Sequence, residues 1–512
     1  MGRLRKYLIL IILYLGCIKA SGQNSILSQK FSFQFNQLPL EAALDTITQK
    51  TDYSFSYNSA LVQNIKVVTA NYRNLPLQDI LKDIFKGQEL NFKEVCNYIA
   101  ITRKLSPDDT PDLFSTYIDS SAYYYIQARV FDKSEKKPVP YANVVLKGRN
   151  LGTVTNIDGN FTFKIPAGCI NDSIVVSFIG YKSVSRNVST FENDEIIYME
   201  PVSVELSEVV VKHYEPTALI KMALGRISDN YSSTPEMQIG FYRETSKQNN
   251  DYIVISEAVL KIFKAAYDKN YRNDQVSVYK NRKSPFVKSM DTVLYKLQGG
   301  IYNSLMIDLA KHPASFISED YFDTYDYKFE GVTPYGDGAV YVIAFDQKPH
   351  VAYPLYKGKI YIDRESLAIV KAEFGISPIG LDYATSVLVK KSSSKIKAKV
   401  LGANYLVSYS SPDDIWKLHH VREEIKIRVR KKYSFFNSTF HSVSELVITD
   451  SDTTSVNRFR SYDLIKPNQV FAEVSDSYDE SFWGKFNFLP PEETLEEAYS
   501  KIKSALKDKH KD

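Results

Sequence analysis

Seven histidines and three cysteines are the side chains best able to hold a metal or attack a substrate in this 512-residue sequence. His420-Val-Arg-Glu423 has a spacing that can grip zinc when both side chains converge on one ion. The alternation around it argues against convergence: Trp416, Leu418, His420, Arg422 and Glu424 share one face of a strand, so His420 and Glu423 point to opposite sides. His419 and His441 each stand on a strand without the helical partner four residues away that a zinc pair needs. Neither Cys96 nor Cys169 has a histidine nearby in sequence, and the chain lacks both a Gly-x-Ser-x-Gly elbow and a glycine-rich phosphate loop. The carboxylate pairs Asp413-Asp414, Glu423-Glu424 and Glu492-Glu493 are adjacent, whereas acid–base work needs carboxylates several ångströms apart across a cleft. The expectation is therefore a non-enzymatic chain with no catalytic residue, no metal site and no cofactor.

The elements that would position any site are mostly strands. Tyrosine (37) and phenylalanine (28) are abundant, and such side chains suit a pleated, half-buried surface. In Tyr141-Ala-Asn-Val-Val-Leu-Lys-Gly148 the alternating Ala142, Val144 and Leu146 turn one strand face inward. Asp158-Gly159 then supplies a hairpin turn before Phe161 and Phe163. Val175-Val-Ser-Phe-Ile-Gly-Tyr181 adds a further strand, and together they predict a small Ig-like or prealbumin-like β-sandwich over residues 123–201.

Upstream, Leu38-Pro-Leu-Glu-Ala-Ala-Leu44-Asp-Thr-Ile47 is echoed by Leu75-Pro-Leu-Gln-Asp-Ile-Leu81-Lys-Asp-Ile84. Each copy places Leu, Leu and Ile on one helical face behind a proline near the helix start. Flanking strands at residues 31–35, 53–57, 67–72 and 97–102 make a small α+β module over residues 29–104. Residues 105–122, rich in Ser, Asp, Thr and Pro, read as a linker.

The chain opens with Arg3, Arg5 and Lys6, an apolar run from Tyr7 to Ile18, and small residues at 20–22. This is the layout of a secretory signal over residues 1–22, with lipid modification of Cys17 as the alternative outcome. No other stretch reaches the length of a membrane helix. With 64 basic against 60 acidic side chains there is no nucleic-acid footprint. Exported, periplasmic or outer-membrane association is expected.

The sandwich motifs resemble the carboxypeptidase-regulatory-like domain in the form found at the front of TonB-dependent outer-membrane receptors. Ser207-Glu-Val-Val-Val211 is similar to the segment by which those receptors leave it. The Leu-Pro-Leu helix openings resemble the short N-terminal domain of secretins and TonB-dependent receptors. These resemblances imply a periplasm-facing role in contact with envelope proteins, TonB-system or outer-membrane receptor components among them. Only about 300 residues follow, so the resemblance stops before a plug and barrel.

Those residues, 213–512, predict a β-rich domain of extended antiparallel sheet with flanking helices. Leu219, Met222, Ala223 and Ile227 form the apolar stripe of an opening helix. Strands are expected over residues 238–245, 252–261, 327–330, 339–345, 357–363, 368–374, 395–409, 416–429 and 439–449, and a terminal helix runs from Pro491 to Leu506. Lys426, Arg428 and Arg430 at alternate positions argue against a lipid-facing barrel strand. The hairpin over residues 356–374 resembles one in lipoprotein-carrier-like proteins, which implies an apolar ligand such as an acyl chain as the alternative function. An unrecognised secreted hydrolase is the other alternative, and an envelope binding or adaptor protein is the leading expectation.

Overall fold

The computed structural model describes residues 26–51, 53–57, 67–86, 90–95, 98–103, 123–192, 194–202, 215–249, 251–268, 273–283, 300–388, 396–431, 437–454, 456–465, 483–484, 486–492, 495 and 497–498. The chain divides into two compact units, one ending at Thr116 and the other beginning at Tyr117. The signal segment with Cys17, the linker, Cys96, the exit segment at 207–211 and most of the terminal helix lie outside the described residues.

In the first unit the order is β1 (Lys30–Pro39), α1 (Leu40–Thr51), β2 (Ser54–Tyr57), β3 (Val67–Pro76), α2 (Leu77–Ile84), β4 (Leu90–Val95) and β5 (Tyr98–Arg103). Pro39 and Pro76 each stand one residue before a helix, where a missing N–H leaves no helical hydrogen bond unmade. The two Leu-Leu-Ile faces, Leu40, Leu44, Ile47 and Leu77, Leu81, Ile84, meet Phe33, Phe35 and Tyr72 in one core. β1 pairs with β3, and β5 lies between β2 and β4. The strand β4 is an addition to what the sequence pattern predicted.

The second unit opens with the sandwich: β6 (Tyr123–Asp132), β7 (Asn143–Leu146), β8 (Gly152–Val154), β9 (Asn160–Pro166), β10 (Ser173–Ser177), β11 (Val184–Asn187) and β12 (Glu195–Met199). One sheet has the order β11-β10-β7-β8 and the other β12-β6-β9. Ala142, Val144 and Leu146 are fully buried between them with Phe161 and Phe163. Gly159 adopts φ +76°, and a Cβ there would stand 2.5 Å from the Val130 carbonyl oxygen, so the turn requires glycine.

The remainder comprises α3 (Pro216–Gly225), α4 (Ile227–Asn230), β13 (Glu236–Gln248), β14 (Asp251–Lys264), β15 (Gln275–Lys283), α5 (Ile301–Met306), β16 (Tyr325–Tyr335), β17 (Gly338–Gln347), β18 (Tyr356–Asp363), β19 (Ile369–Ile376), α6 (Leu381–Leu388), β20 (Ile396–Ser410), β21 (Lys417–Lys431) and β22 (Asn437–Asp452). Its strands form one ten-stranded antiparallel sheet, ordered β15-β14-β13-β22-β21-β20-β19-β18-β17-β16. The first strand of this domain thus pairs with the last, and the meander closes at its centre. The helices cover one face of the sheet, where Leu219, Ile220 and Ala223 join Leu260, Ile360, Val407 and Leu446 in the largest core. The sandwich belongs to the same compact unit and meets the other face, although the sequence reads as separate successive modules.

The stripe expected on α3 is corrected in one respect. Met222 is 52% exposed, and Ile220 at 1% takes the inward place. The helix ends at Gly225, two residues before the end of the sequence stripe, so its inward face is set by Leu219, Ile220 and Ala223 rather than by a row running to Ile227. In the same core Phe316 stacks on Phe345 with ring centroids 4.2 Å apart. Phe316→Ala is expected to lower stability by about 3–5 kcal/mol, and Met222→Ala to change it by less than about 0.5 kcal/mol. Denaturant unfolding of the two variants checks both.

Candidate functional site

A bulge in β21 decides what faces the sandwich. Ser408 pairs with His420 but Tyr409 pairs with Leu418, leaving His419 as the extra residue. Both imidazoles therefore reach the sandwich side. His419 Nε2 lies 2.9 Å from the Thr153 carbonyl oxygen, and the His420 ring tilts against Tyr141 at 5.5 Å. Close approach is possible because residue 152 is glycine: a Cβ there would stand 2.9 Å from His419 Cε1. Trp416 and Leu418 turn instead into the core, so the single face expected for residues 416–424 is split by the bulge. His420 and Glu423 do point to opposite sides, Glu423 accepting a hydrogen bond from Ser304 of α5 at 2.8 Å.

The seam is tied by main chain as well as side chain. Leu151 bridges to Asp450, and the Ser451 and Gly180 amides donate to Asn150 and Pro334 carbonyls. Asn143 Nδ2 donates to the Tyr335 hydroxyl at 2.8 Å, and Asn150 Nδ2 to Asp413 at 3.0 Å. Asp413 therefore serves a contact between modules.

Beside the seam a row of alternating charge crosses five strands. Arg282 pairs in register with Glu257, Glu257 with Arg243, Arg243 with Glu445, and Glu445 with Arg422. Glu257 receives Arg243 at 2.7 Å and Arg282 at 2.6 Å, and Arg422 reaches Glu445 at 2.9 Å. Burial opposes ionisation of Glu257, but the two guanidinium groups hold its carboxyl below the ordinary range. Burial likewise opposes ionisation of Glu445, yet Arg422 and His420 bring it to about 2.

The C-terminal segment covers this row. Arg243 donates to the Leu489 carbonyl at 2.7 Å, the Arg282 guanidinium lies over Trp483, and Asn156 Nδ2 donates to the Pro491 carbonyl at 3.0 Å. Asn487 meets both main-chain groups of Lys164 on the β9 edge, accepting from its N–H at 2.6 Å and donating to its carbonyl at 3.1 Å. The cleft left between Asn156, Arg243, Arg422, Glu445 and Glu492 measures about 30 Å³, room for about two ordered water molecules.

On the helix face a second charged group is buried in the core. Lys264 Nζ meets Asp274 at 2.8 Å and Asp308 at 2.5 Å, Lys311 joins Asp274, and the Tyr267 and Tyr409 hydroxyls donate to Asp308. Desolvation would lower the Lys264 ammonium, but Asp274 and Asp308 raise it, so it stays charged. Glu423 differs: burial pushes its carboxyl up to about 7, with only Ser304 opposing. His419 is held neutral by burial, at about 4. None of these charged pairs was singled out from the sequence. A signal existed in β14, where Leu260, Ile262 and Lys264 share one parity, which places the lysine inside.

Among the described residues no three His, Cys, Asp or Glu side chains group as metal ligands, and no helix is long and apolar enough to cross a membrane. Residues 126–211 match the CarboxypepD_reg-like domain, and residues 53–104 match the secretin and TonB N terminus short domain. The chain carries both domains. It is 38% identical over 97 residues to the TonB-dependent receptor SusC of Bacteroides thetaiotaomicron, a match covering 19% of this chain and 9% of that receptor. These domains link the chain to cell-envelope proteins of TonB-dependent systems. Among solved structures, a DUF1329 family protein from Desulfovibrio piger aligns at 13% identity and TM-score 0.20, over 46% of this chain and 93% of its own. The LolA superfamily protein NE2245 from Nitrosomonas europaea aligns at 12% and 0.18, over 48% and 97%. At such scores neither likeness carries weight.

Glu257→Gln strands two buried guanidinium groups and is expected to cost about 3–5 kcal/mol; adding Arg282→Met should recover part of that loss in the same unfolding assay. Glu423 gives a pH signature. Its folded pKa stands above the unfolded one, so its favourable contribution is complete below the ordinary glutamate range and is lost as pH rises through about 7. His419, depressed to about 4, has the opposite slope and loses stability as pH falls below the ordinary histidine value. The difference between Glu423→Gln and the parent isolates the first effect. It should grow in the variant's favour from acid to neutral pH, reaching about 3 kcal/mol, and parallel profiles would show that Glu423 ionises alike in the folded and unfolded chain.

Proposed function

We propose that this chain is a non-enzymatic adaptor of the cell envelope, facing the periplasm and contacting a component of a TonB-dependent uptake or signalling system. One observation carries the reading: two receptor-type domains, in receptor order, precede a sheet whose buried ionic groups are engaged in internal pairs. Arg243, Arg282 and Arg422 are held by Glu257 and Glu445, and Lys264 and Lys311 by Asp274 and Asp308. A catalytic group needs a free valence toward a substrate, and these groups spend theirs on one another. The role left to them is to fix the sandwich and the sheet as a platform for binding.

The acyl-carrier alternative gains nothing from the helix face of β18 and β19. There Phe316 stacks on Phe345 and meets Tyr356 edge-on and Phe374 at a tilt, an aromatic cluster packed beside the hairpin.

Photo-crosslinkers placed at Lys82 on α2 and at exposed Tyr198 on the sandwich test the adaptor role in intact cells. The expected result is crosslinks to an outer-membrane receptor or TonB-system component in the envelope fraction. Recovery of the chain in the cytoplasm alone, or a turnover abolished by one side-chain substitution, would overturn the reading.

A further inference from the structure

Beyond Arg422, the alternating cations of β21, Lys426, Arg428 and Arg430, take no part in the charge row described above. β20 and β21 are joined at residues 411–416, so their far end is where β20 begins and β21 finishes. Here Lys397 pairs directly with Arg430 and Lys399 with Arg428, while Lys426 lies opposite Gly402. The intervening Ala398, Val400, Ile427 and Val429 turn to the core face. All five cations therefore share the opposite face, and all are exposed.

Like charges directly opposite each other on a sheet repel, and a neighbouring carboxylate ordinarily relieves this. That relief is partial. Lys399 reaches Asp382 at 3.2 Å and Lys426 reaches Glu424 at 3.1 Å, a carboxylate also taken by His441 at 2.8 Å. Lys397, Arg428 and Arg430 have no carboxylate partner among the described residues. The sequence contains no Asp or Glu from residue 383 to 412 or from 425 to 444, and Lys390, Lys391, Lys395, Lys431 and Lys432 extend the same run.

We propose that this face of the β20–β21 end docks on the phosphate headgroups of an anionic lipid surface. Three features select that partner. The cations lie in a plane across two strands and not around a hollow, which suits an extended sheet of charge better than one small anion. The outward residues 397, 399, 426, 428 and 430 are all Lys or Arg, with only Gly402 and the bulged, half-exposed Leu401 beside them, a cationic face without the aromatic cluster that a protein interface is built around. The arginines add bidentate donors matched to phosphate oxygens. The inference stands apart from the adaptor reading, since it needs neither receptor-type domain.

Flotation of the full chain with phosphatidylglycerol vesicles and with phosphatidylcholine vesicles tests it, with inorganic pyrophosphate as the soluble arm. Binding is expected to the anionic vesicles only, weakening as salt rises, with pyrophosphate competing poorly. The variant K397Q/K399Q/R428Q/R430Q should bind about tenfold or more weakly. The control K357Q/K359Q, which removes lysines paired with Asp346 and Glu330, should bind like the parent. The unfolding midpoint of the quadruple variant should hold or rise, because repulsion is removed. Equal vesicle binding by parent and quadruple variant, equal loss in the control, no vesicle binding by the parent, or tight pyrophosphate binding without vesicle binding would each overturn the proposal.

Discussion

The alternating row Arg282, Glu257, Arg243, Glu445, Arg422 is the constraint on which the second unit turns. Five strands from both ends of the domain contribute one charge each, and every charge lies beside an opposite one only when all five are in register. A slip of one residue in any strand would carry its charge to the other face and leave its neighbours buried without a partner. The closure of the meander, with β13 against β22, is thus specified by charge as well as by the apolar core behind it. Such a row need not add much net stability, because burying ions is costly; its effect is to make wrong registers costlier.

That row also governs what lies over it. Its guanidinium groups reach beyond the sheet to the Leu489 carbonyl, the Trp483 ring and, through Arg422, the Tyr141 ring of the sandwich. The sheet therefore presents a prepared surface, and the sandwich and the C-terminal segment complete its hydrogen bonding. The bulge at His419 belongs to the same arrangement, since it turns two imidazoles outward just where the sandwich arrives. A module resembling those at the front of receptors is here built into a larger platform.

Two carboxyls on neighbouring positions of β21 show how strongly the surroundings decide chemistry. Glu424, half-buried and hydrogen-bonded to His441 and Lys426, is held at about 2, whereas Glu423, turned inward with only a serine, is pushed up to about 7. The same residue type, one position apart, differs in charge state near neutrality because one side of the strand is polar and the other is not.

Much of the fold was legible in residue spacing. The doubled Leu-Leu-Ile faces of α1 and α2, the buried Ala142, Val144 and Leu146, the Asp158-Gly159 turn and the long strands of the C-terminal sheet all follow from periods of 3.6 and 2, which are local properties of the backbone. The opposite orientation of His420 and Glu423 was equally local. What the chain could not declare by itself were the relations that need two distant segments at once: the pairing of β13 with β22, the ion row, the Lys264 group and the docking of the sandwich. Even the phase of β21 was hidden, because a bulge is set by which partner strand lies alongside and not by the residues that form it. Sequence determined which faces are apolar; tertiary structure decided which charges meet across them, since that pairing is fixed only when strands hundreds of residues apart come into register.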